Sequence, residues 1–174
     1  MFLNPKHNLS QAHLSQGMIV ADFGAGPGYY AIEAGRLVEK DGKVFCIDLS
    51  HELLRKLSNE AEKEGLKNIE VIWGDLEKDN GSSLKDESVD LVIVANTLFQ
   101  MEKKENLINE AKRILRNKGR VLFVEWGDNE AGIGPHRSHL INKEDAKNLF
   151  KKVGFTEENE IDAGDHHYGI IFRK

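Results

Sequence analysis

Two groups of residues in this chain could do chemistry at a defined spacing. The first is a run of alternate glycines behind an acid, Asp22-Phe23-Gly24-Ala25-Gly26-Pro27-Gly28. Glycines placed this way let the main chain take angles that a side chain forbids, and let a ligand approach the backbone closely. A further acid, Asp48, follows Gly28 by 20 residues, the distance at which dinucleotide-binding units place the carboxylate that accepts from ribose hydroxyls. Together they imply recognition of a nucleoside at the ends of two neighbouring strands. The strict dinucleotide fingerprint also needs a glycine or alanine three residues after its second glycine. Tyr29 stands there, which argues against a nicotinamide cofactor.

The second group could move a proton or enclose a second substrate. Glu125, Trp126, His136, His139, His166, His167 and Tyr168 fall in the last third of the chain. Histidine exchanges a proton near neutral pH, so His139, His166 and His167 are the candidate bases. Trp126, His136 and Tyr168 are candidates to line an apolar or aromatic acceptor. The same histidines could bind a metal only if three or four of them converged in a defined geometry, and the expectation is that no metal is bound.

Composition narrows the class. The 174 residues fit one domain with a sizeable core. No run reaches the roughly 20 apolar residues of a membrane-spanning helix, and Met1 to Ser10 lacks the charged and apolar regions of a signal peptide. The single cysteine, Cys46, excludes an internal disulfide and a cysteine-cluster metal site. A cytoplasmic location is expected. The net charge of −5 argues against a large nucleic-acid footprint.

The elements that must position these residues alternate along the chain. Residues 1–16 read as a lid or brace with a short helix from Asn8 to Leu14, and residues 17–174 as the main domain. Met18 to Phe23 is apolar apart from Asp22, as in a strand covered on both faces. A helix follows Pro27, which suits a first helical turn. Further strands are read at Lys43 to Asp48, Ile69 to Trp73, Asp90 to Ala95 and Arg120 to Glu125. Helices between them carry apolar stripes at helical spacing, such as Leu53, Leu54, Leu57 and Ala61. Ser50 and Asn142 are read as helix caps. Residues 77–88 read as a polar loop and residues 127–139 as a glycine-rich surface loop. Phe155 to Ile161 and His167 to Phe172, separated by a short turn, form an antiparallel closing pair. The alternation implies an α/β, doubly wound parallel sheet with helices on both faces and a closing hairpin.

The acidic residue followed by Gly-x-Gly-x-Gly resembles the first motif of class I S-adenosylmethionine-dependent methyltransferases. Ile47-Asp48-Leu49-Ser50 resembles the second motif of that family, Trp73-Gly74-Asp75-Leu76 the third and Val89 to Asn96 the fourth. Ile114 to Leu122 is similar to the leucine–arginine stretch before strand five, with Lys118 where a glycine is commonest. The nearest subgroup is the type 11, ubiquinone-biosynthesis-like methyltransferases. The resemblance implies a single-domain, Rossmann-like sheet of seven strands in the order 3-2-1-4-5-7-6, the last strand antiparallel.

It also implies roles. The backbone of Gly24, Ala25, Gly26 and Gly28 would pass under the methionine half of S-adenosyl-L-methionine, and Asp22 would help hold its amino group. Asp48 would accept from the ribose hydroxyls and Asp75 from the adenine amine, with Leu49 and Leu76 flanking the ring. Asn96 would lie near the methionine carboxylate or the methyl.

The expected function is methyl transfer to a small-molecule acceptor. The alternatives are an RNA or protein methyltransferase and a non-catalytic cofactor-binding protein. The lone cysteine disfavours the cysteine-dependent arsenite chemistry of some relatives. Ala95-Asn96-Thr97-Leu98, in place of an Asn-Pro-Pro-Tyr motif, disfavours methylation of DNA bases or glutamine.

Overall fold

A computed structural model describes residues 3–127 and 134–174. The chain runs α1 (Pro5–Gln11), β1 (Ile19–Phe23), α2 (Tyr29–Val38), β2 (Lys43–Asp48), α3 (His51–Lys63), β3 (Ile69–Trp73) and β4 (Val89–Ala95). It continues through a 3-10 turn at Leu98–Gln100, α4 (Lys104–Ile114), β5 (Leu115–Trp126), a second 3-10 turn at Arg137–His139, α5 (Lys143–Val153), β6 (Thr156–Ile161) and β7 (His167–Arg173).

The seven strands form one sheet in the order β3-β2-β1-β4-β5-β7-β6. The first five strands are parallel, and β7 is antiparallel to both β5 and β6. Strand alternation divides the core in two. On one face Val20, Val44, Cys46, Leu91, Ile93 and Leu122 pack beneath α1, α2 and α3. On the other Ala21, Phe23, Val92, Val94, Phe123 and Phe172 pack beneath α4 and α5. The unbroken apolar runs of β1 and β4 follow from this two-sided burial.

Local chemistry sets most boundaries. Ser50 Oγ accepts from the Leu53 N–H and starts α3. Asn142 Oδ1 accepts from the Asp145 N–H at 2.8 Å, and its amide donates to the Asp145 carboxylate at 2.6 Å. Gly154 ends α5 at φ +93, an angle open to glycine.

Three departures from the sequence expectation have a physical cause in the structure. The N-terminal helix begins earlier, because Asn4 caps it by accepting from the His7 N–H and Pro5 occupies its first turn. Pro27 stands one residue before the α2 cap, Gly28, rather than inside the helix. β5 begins at Leu115, directly after α4, and its pairing with β4 jumps from Leu115 to Arg120. Lys118 at φ +65 and the tight packing of Gly119 against Leu115 and the Arg116 carbonyl absorb the extra residues as a bulge.

Candidate functional site

The carboxyl ends of β1, β2, β3 and β4 open on one edge of the sheet, where parallel α/β folds bind ligands. At the end of β1, Gly24 and Ala25 both donate their N–H groups to the Ile47 carbonyl, at 2.8 and 3.1 Å. The next amide, of Gly26, donates to Asp48 Oδ2 at 2.9 Å, and Asp48 Oδ1 accepts from the Ser50 N–H at 2.8 Å. The glycine loop and the acid 20 residues beyond it are therefore one hydrogen-bonded unit. Each carboxylate oxygen keeps a further lone pair for a ligand hydroxyl.

The three glycines serve different ends. All have positive φ: +72 at Gly24, +54 at Gly26 and +100 at Gly28. A Cβ on Gly24 would lie 2.5 Å from the Thr97 side chain, and one on Gly28 would lie 2.7 Å from Leu57. A Cβ on Gly26 would meet only the Gly24 carbonyl, at 4.0 Å, and Gly26 lines the cleft beside the loop. Gly24 and Gly28 are small so that the protein can pack, and Gly26 leaves the floor of the cleft open.

The cleft has a volume of about 550 Å³ and is lined by Gly24, Gly26, Asp48, Leu49, Ser50, Leu53, Gly74, Asp75, Leu76, Glu77, Thr97, Gln100 and Met101. Leu49 is 60% exposed and Leu76 5%, so one apolar wall is open and the other built in. Asp75 accepts from the Glu77 N–H and pairs with Lys78, and these contacts hold its carboxyl below the usual range. A nucleoside, whose hydroxyls and exocyclic amine donate, fits this lining of two acceptor carboxylates and two leucines.

Asp22 lies behind the loop, 2% exposed. Burial and the neighbouring Asp48 charge push its carboxyl up to about 7, against a backbone hydrogen bond from Ala31. Its Oδ2 has no hydrogen-bond partner among the described residues. Desolvated carboxylates of this kind favour a cationic neighbour.

Beyond β4 the chain turns sharply. Asn96 takes a left-handed conformation, φ +53. The Thr97 hydroxyl donates to the Phe23 carbonyl at 3.1 Å and ties this loop to β1. Glu125, fully buried at the end of β5, accepts from the Phe99 N–H at 3.1 Å and the Trp126 N–H at 3.0 Å. Burial pushes Glu125 up to about 7, opposed by hydrogen bonds from the Trp126, Phe99 and Leu98 backbone. It is engaged as a tie between β5 and the loop after β4.

The acceptor-side residues divide. His167 lies beside Asn96, with Nε2 3.2 Å from Asn96 Nδ2, and against the Trp126 ring at a centroid distance of 4.2 Å. Its Nδ1 lies 2.9 Å from the Asp165 carbonyl. A carbonyl can only accept, so the proton is assigned to Nδ1 and Nε2 accepts from the Asn96 amide. Asn96 Oδ1 is buried with no partner among the described residues.

The Trp126 ring also lies against Gly134. His166 sits in the β6–β7 turn at φ +63, and its carbonyl accepts from the Gly127 N–H at 2.8 Å. His136 caps the exposed 3-10 turn that carries His139. The middle of the expected glycine-rich loop, residues 128–133, lies outside the described residues.

Tyr168 differs from the expectation of a substrate-lining residue. It is 8% exposed, its ring packs on Phe123, and its hydroxyl donates to the Ile141 carbonyl at 2.8 Å. Among the described residues no group of three or more His, Cys, Asp or Glu side chains could hold a metal ion. Among them also, no helix is long and apolar enough to cross a membrane.

Sequence reasoning missed Ser50, Leu53, Gly74, Glu77, Thr97, Gln100 and Met101 as cleft residues. The first four flank Asp48–Leu49 and Asp75–Leu76 and the last three lie within five residues of Asn96, so the ends of the second, third and fourth strands were the signal that could have found them.

A seven-stranded sheet of this order, with a glycine loop hydrogen-bonded to an acid at the end of the next strand and a cleft of about 550 Å³ beside them, defines a Rossmann-like domain. Residues 14–163 match the family described as Methyltransferase domain, and the chain belongs to it. It is 30% identical over 122 residues to the arsenite methyltransferase of Halobacterium salinarum, covering 70% of this chain and 30% of that protein. It is 24% identical over 129 residues to the ubiquinone/menaquinone biosynthesis C-methyltransferase UbiE of a Marinomonas species, covering 74% of this chain and 50% of that protein. The chain thus spans half or less of the length of these two curated relatives. In fold it is similar to an S-adenosylmethionine-dependent methyltransferase from Aquifex aeolicus, with a TM-score of 0.90 at 24% identity, covering 98% of this chain and 89% of that one. S-adenosylmethionine is the cofactor that such a domain takes, and the donor set of the cleft fits it.

Proposed function

We propose that the protein transfers a methyl group from S-adenosylmethionine to a small-molecule acceptor. The observation that carries this reading is the cleft itself. The one loop glycine that needs no space for packing, Gly26, lines it, and its amide is fixed by Asp48. S-adenosylmethionine supplies, when bound, an electrophilic methyl group on a sulfonium.

The chain's own residues bind and align. Asp48 takes the ribose hydroxyls. Asp75 takes the adenine amine, between Leu49 and Leu76. Gly24 to Gly28 underlies the methionine half, with Ala25 as a buried spacer and Asp22 as the counter-charge to its ammonium. Asn96 presents its unpaired Oδ1 on the acceptor side, beside His167 and Trp126. The protein's main contribution is alignment in a site that excludes water.

A general base is required only for an acceptor that loses its proton in the transition state. Of the candidates, His167 is the one that the fold sets beside Asn96 and Trp126. His139 and His136 lie on an exposed turn, where solvated histidines are ordinary. We read residues 3–16 as a brace: Leu9 and Ala12 pack into the core beside α2, and Gln11 exchanges two hydrogen bonds with the backbone of Asp162. Among small molecules an arsenical is disfavoured, since Cys46 is fully buried and burial pushes its thiol up.

The test is methyl transfer from labelled S-adenosylmethionine into a cell extract separated into metabolite, RNA and protein fractions. Label in the metabolite fraction is expected, and label confined to RNA or protein would replace the acceptor class.

A further inference from the structure

Trp73 ends β3 and is 51% exposed, an unusual position for so large an apolar side chain. It is the strand partner of Asp48 in the β2–β3 pairing. Its indole N–H could be satisfied by water, yet it donates to the Leu49 carbonyl at 2.9 Å. The ring is held for that contact by His51, the first residue of α3, which stacks on it with centroids 5.4 Å apart and planes 9° apart.

The neighbouring Gly74 N–H donates to the Asp48 carbonyl at 3.2 Å. Two successive carbonyls at the end of β2 are therefore tied to two successive residues of β3. These same two segments carry the opposed walls of the cleft, Asp48–Leu49 on one side and Asp75–Leu76 on the other.

We propose that Trp73, with His51 as its backing, is a positioning residue for the nucleoside half of the cofactor. The indole fixes the Leu49 carbonyl and thereby the direction of the Leu49 side chain and the width of the gap that receives the adenine ring. The proposal rests on the reading that the nucleoside lies between Asp48–Leu49 and Asp75–Leu76. Without the tie, the exposed Leu49 samples several positions, and a ligand must order it at a cost in affinity.

The experiment compares Trp73→Phe, which keeps a stacking ring but has no N–H, with His51→Ala and Asp48→Ala. Binding of S-adenosylhomocysteine and of adenosine is measured by calorimetry, alongside melting temperature and hydrogen exchange of the amides from Leu49 to Leu53. Trp73→Phe is expected to weaken both ligands by a similar factor, about 3- to 10-fold, the range for one neutral hydrogen bond. Its melting temperature should stay close to that of the wild type, and the Leu49–Leu53 amides should exchange faster. His51→Ala should give a smaller loss of the same kind.

Wild-type affinity in Trp73→Phe, with Asp48→Ala weakened, would overturn the positioning role while leaving the placement of the nucleoside intact. Unchanged affinity in Asp48→Ala would overturn that placement, and the proposal with it. A Trp73→Phe protein that melts well below the wild type and loses affinity only in proportion would assign the residue to general stability and would equally overturn the proposal.

Discussion

The three loop glycines separate packing inside the protein from room for a ligand. Replace each in turn by alanine. At Gly26 the new methyl group meets nothing closer than a carbonyl at 4.0 Å, so the folded state bears only the left-handed backbone angle, φ +54. That costs an L-residue about 1–2 kcal/mol. For a domain of this size the melting temperature should fall by about 2–8 °C. At Gly24 the same strain is joined by a Cβ placed 2.5 Å from Thr97, and at Gly28 by one placed 2.7 Å from Leu57. Overpacking adds about 1–3 kcal/mol, so these two variants should lose about 4–20 °C.

Affinity for S-adenosylhomocysteine should rank the other way relative to stability. With the ligand over the loop, as proposed, the Gly26 methyl enters its space and should weaken binding about 5- to 150-fold, the equivalent of about 1–3 kcal/mol of overpacking. Differential scanning fluorimetry and calorimetric titration of the three variants read both quantities. Wild-type affinity in a folded Gly26→Ala protein would refute the reasoning, because it would put the ligand elsewhere than over the loop.

Further outcomes follow from the two buried carboxyls. Asp22 and Glu125 are both held at about 7 in the folded protein. Their unfolded values are lower, so the native state binds more protons between those values and 7. The stability of the unliganded protein should therefore rise as pH falls from about 8 to about 5, by about 2–3 kcal/mol per group. Replacing Asp22 by Asn should flatten that dependence, and a profile unchanged by the replacement would contradict it. A ligand ammonium beside Asp22 favours its ionised form, so binding near pH 6 should release about half a proton or more. Titrations in buffers of different ionisation enthalpy read that release, and no difference between buffers would exclude the contact. Glu125→Gln leaves one oxygen for backbone N–H groups that now share two. It should cost about 1–3 kcal/mol, seen as a lower melting temperature, and a variant as stable as the wild type would show that the tie to the loop after β4 is dispensable.

Where the sequence punctuated itself, its reading and the structure agree. β2 and β3 fall on the expected residues because Gly42 and Asp48, and Asn68 and Gly74, bracket short β-branched and aromatic runs. The seven-strand order came from resemblance and is the order in the structure. Alternation alone could give only parallel units and a hairpin.

The start of β5 was hidden because Asn117-Lys118-Gly119 reads as a turn, and the neighbouring strand converts that turn into a bulge. The placement of Tyr168 was legible but overlooked: Tyr168, Ile170 and Phe172 alternate along β7 and share a core face. Trp73 and Thr97 reach across loops distant in sequence, Trp73 to Leu49 and Thr97 to Phe23. No local pattern carries such contacts. The Asn96–Trp126–His167 cluster proposed as the acceptor side was the least legible, since its residues come from the ends of β4 and β5 and the start of β7 and meet only through the antiparallel return of β7.

The central claim is that the cleft at the carboxyl ends of β1 to β4 holds the nucleoside of S-adenosylmethionine through Asp48. Calorimetric titration of the wild-type protein and of Asp48→Ala with S-adenosylhomocysteine, with NAD in a parallel cell, tests it directly. The account predicts one site for S-adenosylhomocysteine, no comparable heat for NAD, and a loss of about 1.5–3 kcal/mol in Asp48→Ala from removal of a charged acceptor. Equal affinity in the two proteins, or tighter binding of NAD than of S-adenosylhomocysteine, would contradict it.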